Sequence, residues 1–322
     1  MKSVRIKILL LCIASITATA PLFALPGTIV IGALKGPTGI GMVRLFDSPP
    51  SLPGNLKLET IAVPSADIMV AKVIGGEYDA AVLPVNMAAK LYSAGIPIRL
   101  AAIVGNGMVS FLTSDPSVSS LADLRGKEIA VAGQGATPDY LLRFLLERAG
   151  IDPNTDLRLS YSLPYPEAAE ALAGGKIRYA VLPEPFSTLA LKANPALRSP
   201  IDLGALWTRA TGQVSYPMSA LVVSDRLAQS HPAAVARLLA AYADSIAWVV
   251  AHPREAGLLV EKHDLGLKAS IATAAIPRSN YVFETAAHAR GAVEALLSVF
   301  LATAPASIGG KLPDPAFYAS FD

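Results

Sequence analysis

A ten-residue run occurs twice, and it limits the folds open to this chain. Gly75-Gly-Glu-Tyr-Asp-Ala-Ala-Val-Leu-Pro84 lies over Gly174-Gly-Lys-Ile-Arg-Tyr-Ala-Val-Leu-Pro183 without a gap, with six of ten positions identical at an offset of 99. In each copy a helical pattern precedes Gly-Gly and another follows the proline, so the run reads as helix stop, short buried strand, helix start. The spacing is too long for a solenoid repeat. Two similar lobes, each a small α/β sheet, account for it. Chance matching among common Ala, Val, Leu and Gly residues is the alternative.

The rest of the chain supports two lobes. Thr28 to Leu34 is a β-branched apolar run broken by Gly36-Pro37-Thr38-Gly39. Leu56 to Val63 alternates like a strand, Ser65 to Ile74 reads as a helix, and Asp79 to Leu83 is a buried strand. This βαβα order predicts a mostly parallel sheet covered by helices. Ile98 to Val104 and Met108 to Thr113 follow as strands, then a polar, turn-rich stretch from Asp115 to Leu124. A second βα series starts at Glu128, with a helix over Pro138 to Ala149 and a strand over Tyr179 to Leu182. After a strand at Met218 to Ser224 the tail is helical. Val235, Leu238, Leu239, Tyr242, Ile246 and Val249 recur there at helical spacing.

Such a tail is expected to pack back on the first lobe. The expected division is residues 25–113 with 217–322 as one discontinuous lobe and 114–216 as the other, the chain crossing near Thr113 and Tyr216.

The first 24 residues read as a secretory signal. Lys2, Arg5 and Lys7 precede an apolar run from Ile8 to Ile16, and small residues lead to Ala24, the expected cleavage point. The run is too short for a convincing membrane span. Without it the chain carries 24 basic residues against 25 acidic ones, so the charge gives no support to a nucleic-acid partner. An extracytoplasmic, periplasmic location follows. The single cysteine, Cys12, lies inside this segment. The Leu9-Leu10-Leu11-Cys12 run lacks the small residue that a lipid-anchor site needs, which favours an ordinary apolar residue over an anchor. The remaining chain has no cysteine for a disulfide, a metal site or a nucleophile.

Two α/β lobes joined by two crossings enclose a cleft. Ligands of open α/β sheets bind beyond the carboxyl ends of strands, at helix N-termini. Gly133-Gln134-Gly135-Ala136-Thr137-Pro138 is the strongest candidate, with Thr137 suited to the N-cap and Pro138 to the first helical turn. The bland reading is a capped helix start. A nucleotide phosphate loop is excluded, because the Gly-Lys-Ser/Thr ending is missing.

Thr38 follows the first strand, with Lys35 beside it. Ser65 is either a ligand donor or an N-cap. Asn86 and Glu184 follow the two repeated Leu-Pro steps and are expected to face the cleft. Glu184 is read as an acceptor for a ligand N–H, or as dipole compensation at a helix start. Tyr216 and Trp207 near the second crossing form a stacking wall or core. No arginine falls on the expected cleft loops. His231, His252, His263 and His288 have no metal-ligand spacing, no Gly-x-Ser-x-Gly elbow occurs, and no acid pair stands out. No catalytic residue, metal or cofactor is expected.

The run Leu121-Ala-Asp-Leu-Arg-Gly-Lys127, followed by Ile129-Ala-Val-Ala132 and Gly133-Gln-Gly-Ala-Thr-Pro138, resembles the type II periplasmic binding proteins. The likeness is to the nitrate, sulfonate, taurine and thiamine-precursor group. Gly175-Lys-Ile-Arg-Tyr-Ala-Val-Leu-Pro-Glu-Pro-Phe186 and Ile308-Gly-Gly-Lys-Leu-Pro-Asp314 resemble other parts of that group, so the likeness runs along nearly all of residues 25–322.

The resemblance implies a monomeric, non-enzymatic solute-binding protein that closes by a hinge over one small molecule and docks on an ABC-type permease. It puts the ligand at Thr38, Ser65, Asn86, Gln134, Gly135, Ala136, Thr137, Glu184 and Tyr216. The lack of a cleft arginine counts against a strictly anionic ligand, and Glu184 leans toward a nitrogen heterocycle, with a small organic anion as the alternative. An exported enzyme of the same fold, such as a lyase or pyrimidine synthase, and a sensor for a membrane receptor are the rival readings. The thiamine-pyrimidine synthases of this fold depend on a cysteine-rich motif that the chain lacks.

Overall fold

The computed structural model describes residues 27–131 and 133–321. The expected signal, its cleavage point and Cys12 lie outside the described residues. The chain begins β1 (Thr28–Leu34), α1 (Pro37–Gly41), α2 (Val43–Asp47), β2 (Lys57–Val63), α3 (Ala66–Ile74), β3 (Ala80–Pro84), α4 (Val85–Ser93) and β4 (Ile98–Asn106). It continues through β5 (Val109–Thr113), β6 (Glu128–Val131), α5 (Thr137–Arg148), β7 (Arg158–Ser160), α6 (Tyr165–Ala173), β8 (Tyr179–Pro183), α7 (Phe186–Ala193) and α8 (Leu203–Thr211). The last part holds β9 (Pro217–Ser224), α9 (Asp225–Ser230), α10 (Pro232–Ala251), α11 (Pro253–Lys262), α12 (Ala269–Ala275), β10 (Glu284–Thr285) and α13 (Ala286–Thr303).

The strands form two sheets flanked by helices, ordered β10-β4-β9-β3-β1-β2 and β5-β8-β6-β7. Within the first sheet β2, β1 and β3 are parallel, as the βαβα pattern predicts. β9 is antiparallel to both β3 and β4, so this sheet is mixed rather than mostly parallel. In the second sheet β8, β6 and β7 are parallel and β5 is antiparallel.

The strand β5 moves the first crossing. Val109 to Thr113 pairs with β8 along its whole length, so this strand belongs to the second lobe. The chain crosses at Asn106–Met108, not near Thr113. The reason is local: only Gly107 and Met108 separate two strands of different sheets, and nothing in the apolar pattern of either strand marks which sheet it joins. The return crossing leads into β9 at Pro217.

The internal repeat is structural. Gly75 caps α3 and Gly174 caps α6, and the following Gly76 and Gly175 sit at φ 68° and 70°. That left-handed conformation favours glycine, which has no Cβ to clash. β3 and β8 then run buried to Pro84 and Pro183.

Tail helix α10 fits its predicted span and lays Val235, Leu238, Tyr242 and Ile246 onto β1 and its neighbours. The tail does not stop at the first lobe. Phe300 of α13 packs on Tyr140 of α5, ring centres 4.8 Å apart, so apolar burial runs on between the lobes.

Candidate functional site

The parallel strands set the geometry. β6 and β8 lie side by side with Ala130 opposite Ala180 and Val131 opposite Val181, so their carboxyl ends emerge together. α5 and α7 therefore start next to each other. Across from them, the ends of β1 and β3 deliver α1 and α4. The two edges meet: a Cβ on Gly36 would sit 3.6 Å from the Phe186 ring. Asn86 Nδ2 of α4 donates to the Gly135 carbonyl of the other lobe at 3.0 Å.

Several expected ligand residues are occupied by the protein itself. Thr38 Oγ1 accepts from Leu34 N–H at 2.8 Å and donates to Leu34 C=O at 3.3 Å, so it ties off the end of β1. Lys35 is paired with Asp264 at 2.6 Å. Ser65 Oγ accepts from Ile68 N–H and caps α3, which is its structural reading. Tyr216 is 1% exposed and meets Trp207 edge-on at 5.6 Å, and Trp207 Nε1 donates to Ser215 C=O. Both rings are core under the second crossing rather than a stacking wall. Burial pushes the Tyr216 phenol well up.

The glycine loop before α5 is held by one carboxylate. Asp139 Oδ2 accepts from Gly135 N–H at 2.9 Å, while its Oδ1 takes Arg143 Nε and the Tyr161 hydroxyl at 2.9 and 2.7 Å. Tyr161 is pushed up to about 12, by burial first and the Asp139 bond second. The N-cap of α5 is Ala136, and Thr137 makes no capping bond. This corrects the expectation that Thr137 caps, and it frees the hydroxyl. Gln134 is exposed, and Ala136 is half-buried with its N–H donated to Gly133 C=O.

Glu184 is the larger departure. It is 2% exposed, yet neither oxygen is free: Oε1 accepts from Arg278 Nε at 2.7 Å and Oε2 from Thr188 N–H at 3.2 Å. Arg278 belongs to the turn after α12, so the pair crosses between the lobes. The expectation of a cleft without arginine therefore fails. Helical periodicity and strand ends locate loops of the sheets, but they do not mark a turn in the helical tail as a cleft wall.

Four buried polar atoms at these helix starts have no partner in the protein: Asn86 Oδ1, Thr137 Oγ1, Ser187 Oγ and Thr188 Oγ1. Their residues are 0–3% exposed. Buried polar groups are nearly always bonded, so four together at one cleft need an explanation. Ser187 and Thr188 were not among the sequence candidates. The signal that finds them is position: they fill the first turn of α7, as Thr137 fills that of α5. Tyr165 and Phe186 stack at 5.3 Å beside Gly133, and burial pushes Tyr165 up to about 12, so its phenol is neutral near pH 7. The arrangement offers hydroxyl, amide and main-chain hydrogen bonds between lobes. Among the described residues, no three His, Cys, Asp or Glu side chains gather to hold a metal.

A model of the family described as NMT1-like matches residues 51–260. No curated protein matches the chain. Among solved structures, an ABC transporter protein from Parabacteroides distasonis superposes with a TM-score of 0.79 at 28% identity, covering 92% of this chain and 99% of that one. The periplasmic aliphatic sulphonate-binding protein of Escherichia coli gives 0.68 at 19%, over 90% and 93%. The alkanesulfonate-binding protein of Xanthomonas axonopodis pv. citri, bound to MOPS, gives 0.66 at 16%, over 91% and 96%. The fold is that of the type II periplasmic binding proteins.

Proposed function

The chain belongs to the NMT1-like family, and on that premise we propose that it is an extracytoplasmic solute-binding protein, closing two lobes over one small molecule and passing it to the permease of an ABC-type importer. The observation that carries this reading is the set of buried, unpartnered hydroxyl and amide oxygens on Asn86, Thr137, Ser187 and Thr188. Left unpaired, each costs about 1–3 kcal/mol. A solute that bonds them recovers that cost only when both lobes surround it. The site therefore rewards closure rather than simple adhesion. The carboxylate beside them, Glu184, is paired with Arg278 and accepts from the Thr188 main chain, so it is not a free base for these hydroxyls.

The ligand contacts in this reading are Asn86, the Gly135–Thr137 turn, Ser187 and Thr188, with Gln134 at the exposed rim. Thr38, Ser65, Glu184 and Tyr216 support them from behind. The test is a thermal-shift screen of the chain from Leu25 against thiamine and its pyrimidine, riboflavin, nitrate, taurine, alkyl sulfonates and polyamines. A solute at about 100 times its dissociation constant adds about 2.7 kcal/mol of stability, a rise of several degrees. The reading predicts such a shift for one class, with the solute recovered unchanged. Conversion of the solute would overturn it in favour of an enzyme. Failure of every class would remove the reading's ligand range.

A further inference from the structure

Among the described residues three acidic side chains are more than nine-tenths buried: Asp79, Asp139 and Glu184. Two are neutralised within their own lobe. Asp79 pairs with Arg226 at 2.8 Å and accepts from Val30 N–H. Asp139 pairs with Arg143 and Tyr161. Glu184 alone receives its counter-charge from the other lobe, through Arg278 Nε. The turn that presents Arg278 is held in place, since Ser279 Oγ donates to Ala275 C=O at 2.7 Å and α12 packs on α7.

A carboxylate this deep is stable only when paired and hydrogen-bonded. Glu184 is 2% exposed, and its oxygens already accept from the guanidinium and from the main chain at Thr188. A ligand ammonium or guanidinium would need the place that Arg278 holds. Resting on the cleft as the solute site, we propose that Arg278 is a specificity-determining residue: it fills the acidic subsite at Glu184 with the chain's own guanidinium, so the site refuses organic cations. Its removal converts Glu184 into a receptor for a small cationic group. The wall facing the solute is thus formally neutral, and recognition falls to the hydroxyls of Thr137, Ser187 and Thr188.

The experiment compares wild type, Arg278→Ala, Arg278→Lys and the double variant Arg278→Ala/Glu184→Gln by calorimetry and thermal shift, with methylguanidinium as the probe and acetate as the anionic control. Arg278→Ala is expected to bind methylguanidinium at least about ten-fold more tightly than wild type, the ratio that one charge-assisted bond readily supplies. Its melting temperature should rise with the probe, and Arg278→Lys and the double variant should show neither effect. A merely structural arginine would leave Arg278→Ala unstable and unrescued. Equal binding by Arg278→Ala and wild type, with circular dichroism showing both folded, overturns the proposal. Should Arg278→Ala not fold, Arg278→Gln carries the same comparison. Wild type is screened as well against small amines and amidines, and tight binding of any of them overturns the proposal without a variant. If wild type takes no solute of the screen, the ligand range of the solute-binding reading is lost, while gain of the cation in Arg278→Ala is still read separately.

Discussion

Replacing Thr137 by valine separates a binding hydroxyl from a structural one by the sign of two effects. Thr137 is 2% exposed in the first turn of α5, makes no cap, and its Oγ1 has no partner in the protein. Valine keeps the shape and the branching at Cβ and removes only the hydroxyl. A buried unpaired hydroxyl costs about 1–3 kcal/mol. At the low end of that range, the variant without solute gains about 1 kcal/mol and melts about 2–4 °C higher. The same change deletes one hydrogen bond to the solute, about 0.5–1.5 kcal/mol, so affinity falls about 2- to 12-fold. Melting curves without solute and calorimetry with the best solute from the screen measure both numbers. A variant that melts lower than wild type and binds as well as before would refute the reasoning, because the hydroxyl would then be serving the fold.

Two further outcomes test the frame around the site. Trp207 is fully buried between Phe144 and Tyr216, so Trp207→Ala should cost about 3–5 kcal/mol in urea unfolding, and a loss under about 1 kcal/mol would show the second crossing to be looser than described. Asp47 is lowered to about 2, first by its hydrogen bond from Lys262 and then by His263. A depressed carboxylate stabilises the fold above its unfolded value near 3.9 and loses that contribution as pH falls toward 2. Urea midpoints of wild type should therefore drop more steeply than those of Asp47→Asn between about pH 4 and 2, and parallel slopes would contradict the pairing.

The fold was legible where local signals and burial agree. The Gly-Gly stops, the Leu-Pro strand ends and the period of α10 all depend on near neighbours in sequence, and each appears where the pattern places it. Sheet membership depends on distant partners. β4 and β5 are both apolar runs, and only pairing with β8 decides that Val109 to Thr113 joins the second lobe. The antiparallel β9 was hidden for the same reason, since a buried strand reads alike in either direction.

The positions of the candidate residues were legible in the sequence, and their hydrogen-bond partners less so. Strand ends and helix starts pointed to Asn86, the Gly135–Thr137 turn and the loop at Glu184, and these residues do meet between the lobes. What sequence cannot weigh is competition for a polar group. Thr38 and Ser65 spend their hydroxyls on backbone groups three or four residues away, whereas Thr137, at an equally plausible cap position, makes no such bond, because the helix takes Ala136 as its N-cap and Thr137 as its first residue. The Asp139 carboxylate, four residues on from Gly135, holds the loop by accepting its N–H, and a charged acceptor makes the stronger bond. The same contest, decided by Arg278 from nearly a hundred residues away, turns Glu184 from a ligand acceptor into half of a neutral pair. In the proposed reading, function in this cleft rests on the polar groups that the fold does not use, and those are identified only after every other hydrogen bond has been assigned.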